Sequence, residues 1–166
     1  MSRLVFRTFK ALFLVFFATA TAYAAEEQPA NVEDIAIRFT TALYGQDFDT
    51  ATELAAPDMV FESPTSPPGL VPTVRGREAV MDAWGGELSE MDQEMNISRS
   101  FASHDKAVLY LTTEGTAGGE FFGHDAKKVA YKTEGIAVIQ VVDGVVVHHS
   151  DYMDYPATFA GLRPVE

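Results

Sequence analysis

Residues 129–152 read VAYKTEGIAVIQVVDGVVVHHSDY. Two runs rich in β-branched residues, Val129 to Val142 and Val145 to Tyr152, are joined by Asp143-Gly144 alone. An Asp-Gly link between such runs is a two-residue hairpin signature, because both central residues of that turn need positive φ. Working back from it, Ile97 to Phe101 and Ala107 to Thr116 have the same character. Turn residues set these runs apart at His104-Asp105, Gly118-Gly119 and Gly123-His124-Asp125. Consecutive strands joined by short turns predict a long antiparallel sheet.

Upstream the period changes. Val32, Ile35, Ala36, Phe39, Ala42 and Leu43 recur at three- and four-residue spacing, the mark of an amphipathic helix. Asn31 stands where an N-cap belongs, Glu33 and Asp34 occupy the first turn, and Gly45 ends it. A shorter helix is expected after Asp47, with Phe48, Ala51, Leu54 and Ala55 on one side, then a turn at Pro57-Asp58 into a short strand, Met59 to Glu62. The proline-rich stretch SPTSPPGLVPTVRG (63–76) predicts a surface loop. Gly76-Arg77-Glu78 opens a third helix that runs through Val80 and Trp84 to Gly85-Gly86 or one turn beyond. Three helices followed by an antiparallel sheet predict an α+β domain with its helices on one face of the sheet. That domain spans residues 31–166, preceded by a flexible lead-in over 25–30.

The first 24 residues read as an export signal. Arg3, Arg7 and Lys10 precede the apolar run Ala11 to Phe17, and Ala22-Tyr23-Ala24 supplies a small-x-small cleavage site. The apolar stretch is shorter than the roughly 20 residues that span a bilayer. The expectation is therefore an exported protein, periplasmic or secreted, with no stable membrane anchor after cleavage. Cleavage would leave 9 Lys+Arg against 24 Asp+Glu, a formal charge of −15. Such a surface repels nucleic-acid phosphates and anionic lipid, which excludes a nucleic-acid partner. The chain has no cysteine, so its stability must come from a packed core rather than from disulfides.

Two pieces of this sequence carry a family resemblance. One is Phe61-Glu-Ser-Pro64 followed by Arg75-Gly-Arg-Glu-Ala-Val80; the other is the closing Ser150-Asp-Tyr-Met-Asp154. Together with the order of elements they resemble the nuclear transport factor 2-like superfamily, which includes SnoaL-like polyketide cyclases, ketosteroid isomerases and limonene-epoxide hydrolases. The resemblance covers about Val32 to Leu162. It implies a cone in which the sheet wraps around a pocket and the first helix closes the mouth. It implies a small apolar molecule as ligand, no cofactor, and frequently a homodimer formed through the outer face of the sheet.

By position, Asp151 matches the acid that several of these families use as general acid or base. Desolvation in an apolar cone suits a carboxylate to proton transfer near neutrality. Strand alternation puts Val145, Val147, His149, Asp151 and Met153 on one face, and Val108, Tyr110, Thr112 and Glu114 on one face of their own strand. If Asp151 faces the pocket, so does His149, which could shuttle protons or bind a substrate carbonyl. Matched to the epoxide hydrolases, Glu114 stands at the second acid and Thr112 where an arginine should separate the pair. Ser63 stands where ketosteroid isomerases carry their aspartate, and Phe39 where they carry an oxyanion-binding tyrosine. The expected catalytic set is thus Asp151, Glu114 and His149, with Ser63, Phe61, Thr112, Tyr110 and Phe39 lining the substrate. No metal is expected, because alternation splits His148 from His149. Two readings stay open: an acid/base isomerase, cyclase or hydrolase, and a non-catalytic binding or interaction module.

Overall fold

The computed structural model describes residues 31–86 and 91–165. The expected export signal and lead-in, residues 1–30, lie outside the described residues.

Helix α1, Val32–Tyr44, begins at Asn31, whose side chain accepts from the Glu33 N–H at 3.1 Å, and ends at Gly45. Its buried face (Ile35, Ala36, Phe39, Leu43) joins Leu109, Leu111, Ala137, Ile139 and Val146 in the main core. Helix α2, Phe48–Leu54, is capped by Asp47, whose side chain accepts from the Thr50 N–H. Strand β1, Ala55–Glu62, starts four residues earlier than expected. Pro57 lacks an N–H for the ladder, and the register shifts between Ala55 and Val60 instead of the chain turning there. After a short strand β2, Val74–Arg75, helix α3 runs from Arg77 to Gly85. The Arg77 guanidinium donates to the Thr52 and Ala55 carbonyls, so this residue ties α3 to the end of α2.

Strands β3 (Asp92–Ser103), β4 (Lys106–Gly118), β5 (Lys128–Val142) and β6 (Val145–Met153) form the expected antiparallel meander. The β5–β6 turn has Asp143 and Gly144 at φ 50° and 82°, both positive as the Asp-Gly link predicts. The α+β class and the curved sheet stand. Three details differ from expectation. The sheet is mixed, because β1 pairs with β6 in parallel, giving the order β2-β1-β6-β5-β4-β3. The described residues contain a fourth helix, α4, Tyr155–Ala160, capped by Asp154. A last short strand β7, Arg163–Pro164, pairs with β5.

The sheet leaves its edges unclosed and curves around α1. A second small core of Ala117, Phe122, Val129 and Tyr131 forms where the 3₁₀ turn Gly119–Phe122 meets α4. Between the two cores lies a cavity. Among the described residues no helix is long and apolar enough to cross a membrane.

Candidate functional site

Asp151 sits on β6 with 3% of its surface exposed. Its Oδ2 accepts from the Tyr44 hydroxyl at 2.6 Å and its Oδ1 lies 2.8 Å from His149 Nε2. Tyr44 reaches it from the last turn of α1, one turn beyond the buried Thr40. Burial and the adjacent Asp151 charge push the Tyr44 phenol well above its usual range, so it stays a donor. His149 is fully buried between the rings of Phe39 and Phe61, with centroids 5.7 and 5.2 Å away. Its Nδ1 has no hydrogen-bond partner.

A second hydroxyl pair flanks the carboxylate. Ser63, at the end of β1, donates to the Asp151 carbonyl at 3.2 Å and shares a 3.1 Å hydrogen bond with the Tyr155 hydroxyl from α4. Burial raises the Tyr155 phenol above its ordinary value. On the far wall the Tyr131 hydroxyl donates to Gln93 Oε1 at 2.7 Å, and burial raises this phenol too.

Tyr44, Asp151, Ser63, Tyr155, Gln93 and Tyr131 line a cavity of about 70 Å³. Its walls are otherwise Phe61, Trp84, Phe121, Phe122, Met153 and similar apolar side chains. Trp84 closes it from α3, its ring tilted at 59° against Tyr44 with centroids 4.6 Å apart. Asp151 is the one carboxylate among the described lining residues, and none of them is lysine or arginine.

The expected site residues separate into two sets. Asp151, Ser63 and Phe61 line the cavity, and His149 lies behind Asp151, outside the lining. Phe39 is core beneath His149 rather than pocket wall. Tyr110, Thr112 and Glu114 are placed on the opposite face of the sheet, which corrects the expected inward parity. On β4 the inward residues are Ala107, Leu109, Leu111 and Thr113, which are buried, and Thr113 reaches the cavity. Glu114 is instead 60% exposed at its side chain and pairs with Lys132 at 3.9 Å. It cannot share a water with Asp151 across the sheet.

The parity expected for β6 also needs one correction. Val141 pairs with Val146 and Gln140 with His148, which leaves Val147 as an extra residue. This bulge puts Val146 rather than Val145 and Val147 on the inner face with His149, Asp151 and Met153. Sequence reasoning missed Tyr44, Tyr155, Gln93, Tyr131 and Thr113. Tyr44 was within reach, because it continues the Ala36, Thr40 row at four-residue spacing.

The SnoaL-like polyketide cyclase family model matches residues 33–162. The chain belongs to this family. A comparison with curated protein sequences finds no significant match. Among solved structures, a SnoaL-like protein of Shewanella putrefaciens CN-32 is similar at 18% identity and a TM-score of 0.66, covering 76% of this chain and 91% of the other. An epoxide hydrolase of Mycobacterium tuberculosis resembling limonene-epoxide hydrolase is similar at 21% identity and 0.63, covering 78% and 87%. A nuclear transport factor 2-like protein of Burkholderia xenovorans LB400 is similar at 20% and 0.59, covering 76% and 91%. At these identities the likeness is one of fold, and a fold of this kind hosts many chemistries. For this SnoaL-like chain the function has to be argued from the cavity itself.

Proposed function

We propose that this SnoaL-like protein is exported and binds a small, largely apolar molecule in the Asp151 cavity, where Asp151 acts as general acid and base. One observation carries the reading. A carboxylate held by Tyr44 and His149 opens into a cavity that is otherwise almost entirely apolar and aromatic. In this scheme Asp151 removes a proton from an activated carbon and returns it to another. The substrate is isomerised or cyclised with no net change in atoms. Ser63 spends its proton on the Asp151 backbone carbonyl, and Tyr155 meets a developing oxygen charge by turning its own proton from Ser63 to the substrate. His149, buried behind the carboxylate, is a positioning residue. Water activation by two paired acids is not supported, because Glu114 is on the other face of the sheet.

The test is turnover of enones, lactones and epoxides by wild type and Asp151→Asn. A positioned acid/base contributes roughly 10²–10⁴-fold, and the variant should lose that much. Equal rates would refute the catalytic role. The non-catalytic reading has one observation in its favour, since both Asp151 oxygens already accept from protein donors.

The outer face of the sheet supports a homodimer. Tyr110, Ile136 and Tyr152 form a cross-strand row, with Phe101, Val108 and Val138 beside it. Phe101 and Tyr110 are 49% and 42% exposed. In so acidic a protein, an apolar face is where two copies meet with least repulsion. Sedimentation should give a dimer that Tyr110→Glu dissociates; a monomeric wild type would refute this.

A further inference from the structure

The cavity has an imbalance of charge. Among the described residues its aromatic lining comprises Tyr44, Phe61, Trp84, Phe121, Phe122, Tyr131 and Tyr155, and its one carboxylate is Asp151. A buried charge is normally paired, because leaving it alone in a low-dielectric site is costly. Among the described residues the one basic neighbour of Asp151 is His149, 2.8 Å away. Tyr44 donates as a neutral phenol. His149 can pair as an imidazolium only by burying an Nδ1–H that has no acceptor between Phe39 and Phe61. With its proton on Nε2 the neutral ring still donates to Asp151 and leaves only a lone pair unmet. The two donors therefore suit a carboxylate anion without cancelling its charge. Around that charge stand aromatic rings, whose faces attract organic cations, and a weakly hydrated alkylammonium gives up its water for such a site at less cost than a metal ion does.

We propose that the ligand of this cavity carries a compact organic cation, a methylated or alkylated ammonium group, held between the aromatic walls and Asp151. This rests on the reading that the Asp151 cavity is the ligand site and narrows its substrate class. Size fits: about 70 Å³ accommodates roughly five water-sized groups, enough for a trimethylammonium head. A second hollow adjoins this cavity. Val71 and Phe121 line both this cavity and an apolar hollow of about 290 Å³ between the proline-rich loop and α3. The charged residue at that hollow, Asp82, is again acidic.

Trp84 is the chain's one tryptophan and lies in the cavity wall, so its fluorescence reports binding without a label. The experiment titrates the mature protein with choline and with its neutral isostere 3,3-dimethylbutan-1-ol. Choline should perturb Trp84 emission at a concentration at least tenfold lower than the isostere does. Folded Asp151→Asn, checked by its thermal transition, should lose that preference; should it fail to fold, the wild-type comparison decides alone. Equal or tighter binding of the isostere would overturn the cation and leave the cavity as a ligand site. No response to either probe, with turnover of a neutral enone intact, would overturn the inference and spare the catalytic reading. No response and no turnover of any substrate would overturn both.

Discussion

Tyr44→Phe removes one oxygen from the site and leaves the ring packed on Trp84, 4.6 Å away. The lost group is the donor to Asp151 Oδ2 at 2.6 Å, a buried hydrogen bond to a charged acceptor. Such bonds are worth about 1.5–3 kcal/mol, and the carboxylate left short of a donor keeps the change at the upper end of that range. For a domain of about 135 residues, an unfolding entropy near 2.1 cal/mol/K per residue converts this to a fall in Tm of roughly 5–10 °C. A second readout lies at alkaline pH. Burial raises the phenols of Tyr44, Tyr131 and Tyr155 in the folded protein, while in the unfolded chain they titrate near their ordinary value of about 10. Above that pH the unfolded chain sheds protons that the native state keeps, so stability falls as pH rises. Each such tyrosine contributes about 1.4 kcal/mol per pH unit to the slope. Tyr44→Phe should therefore be less stable than wild type at pH 7 yet lose stability more slowly above pH 10. Urea unfolding at pH 7 and at several values from 9.5 to 11.5 measures both. An unchanged midpoint at pH 7 together with an unchanged alkaline slope would refute the buried phenol–carboxylate bond.

Three further outcomes are expected, two from the geometry and one from the leader sequence. Glu114→Gln should leave turnover unchanged and shift stability by no more than about 0.5 kcal/mol, because the residue is an exposed partner of Lys132; a large loss of rate would return it to the site. Gly135→Ala should destabilise more than Gly144→Ala in urea melts. A Cβ at 135 would clash with the Tyr152 carbonyl oxygen and meet Met153 Sδ at 2.6 Å, whereas at 144 it meets nothing and costs only the positive φ, about 1–2 kcal/mol. Expression with the full leader should yield a processed protein whose N-terminal sequence begins at Ala25; a chain still starting at Met1 in the exported fraction would refute cleavage there.

What the sequence made legible was local. Asn31 and Gly45 bracket α1 because capping is decided within a few residues, and Asp143-Gly144 marks its turn because only a few residue types accept those φ values. The parallel pairing of β1 with β6 joins residues almost ninety positions apart, as Phe61 with His149, and leaves no local trace. Helix α4 is six residues long and too short to display a period. The face of β4 was ambiguous for a different reason. Val108 and Tyr110 are apolar enough to resemble a core face, yet that side of the sheet is the exposed row shared with Ile136 and Tyr152. Alternation gives two faces, and only the partners across the sheet say which one is inside.

The same point explains how the carboxylate reaches the cavity. Along β6 strict alternation from the buried Val146 would carry His148, Ser150 and Tyr152 inward and leave Asp151 among the outer residues. Val146 must stay inside, since it is fully buried in the main core against α1. One extra residue, Val147, resolves the conflict by resetting the phase between the core half of the strand and its polar half. After the bulge His149, Asp151 and Met153 face inward, and His148 and Tyr152 face out. Bulges of this kind re-aim side chains and occur preferentially beside functional sites. The hydrophobic half of β6 therefore fixes the strand in the core, and the bulge makes the polar half available to a ligand without unpairing the sheet. Tyr44 and Ser63 then need only arrive at the ends of their own elements, α1 and β1, to enclose the carboxylate.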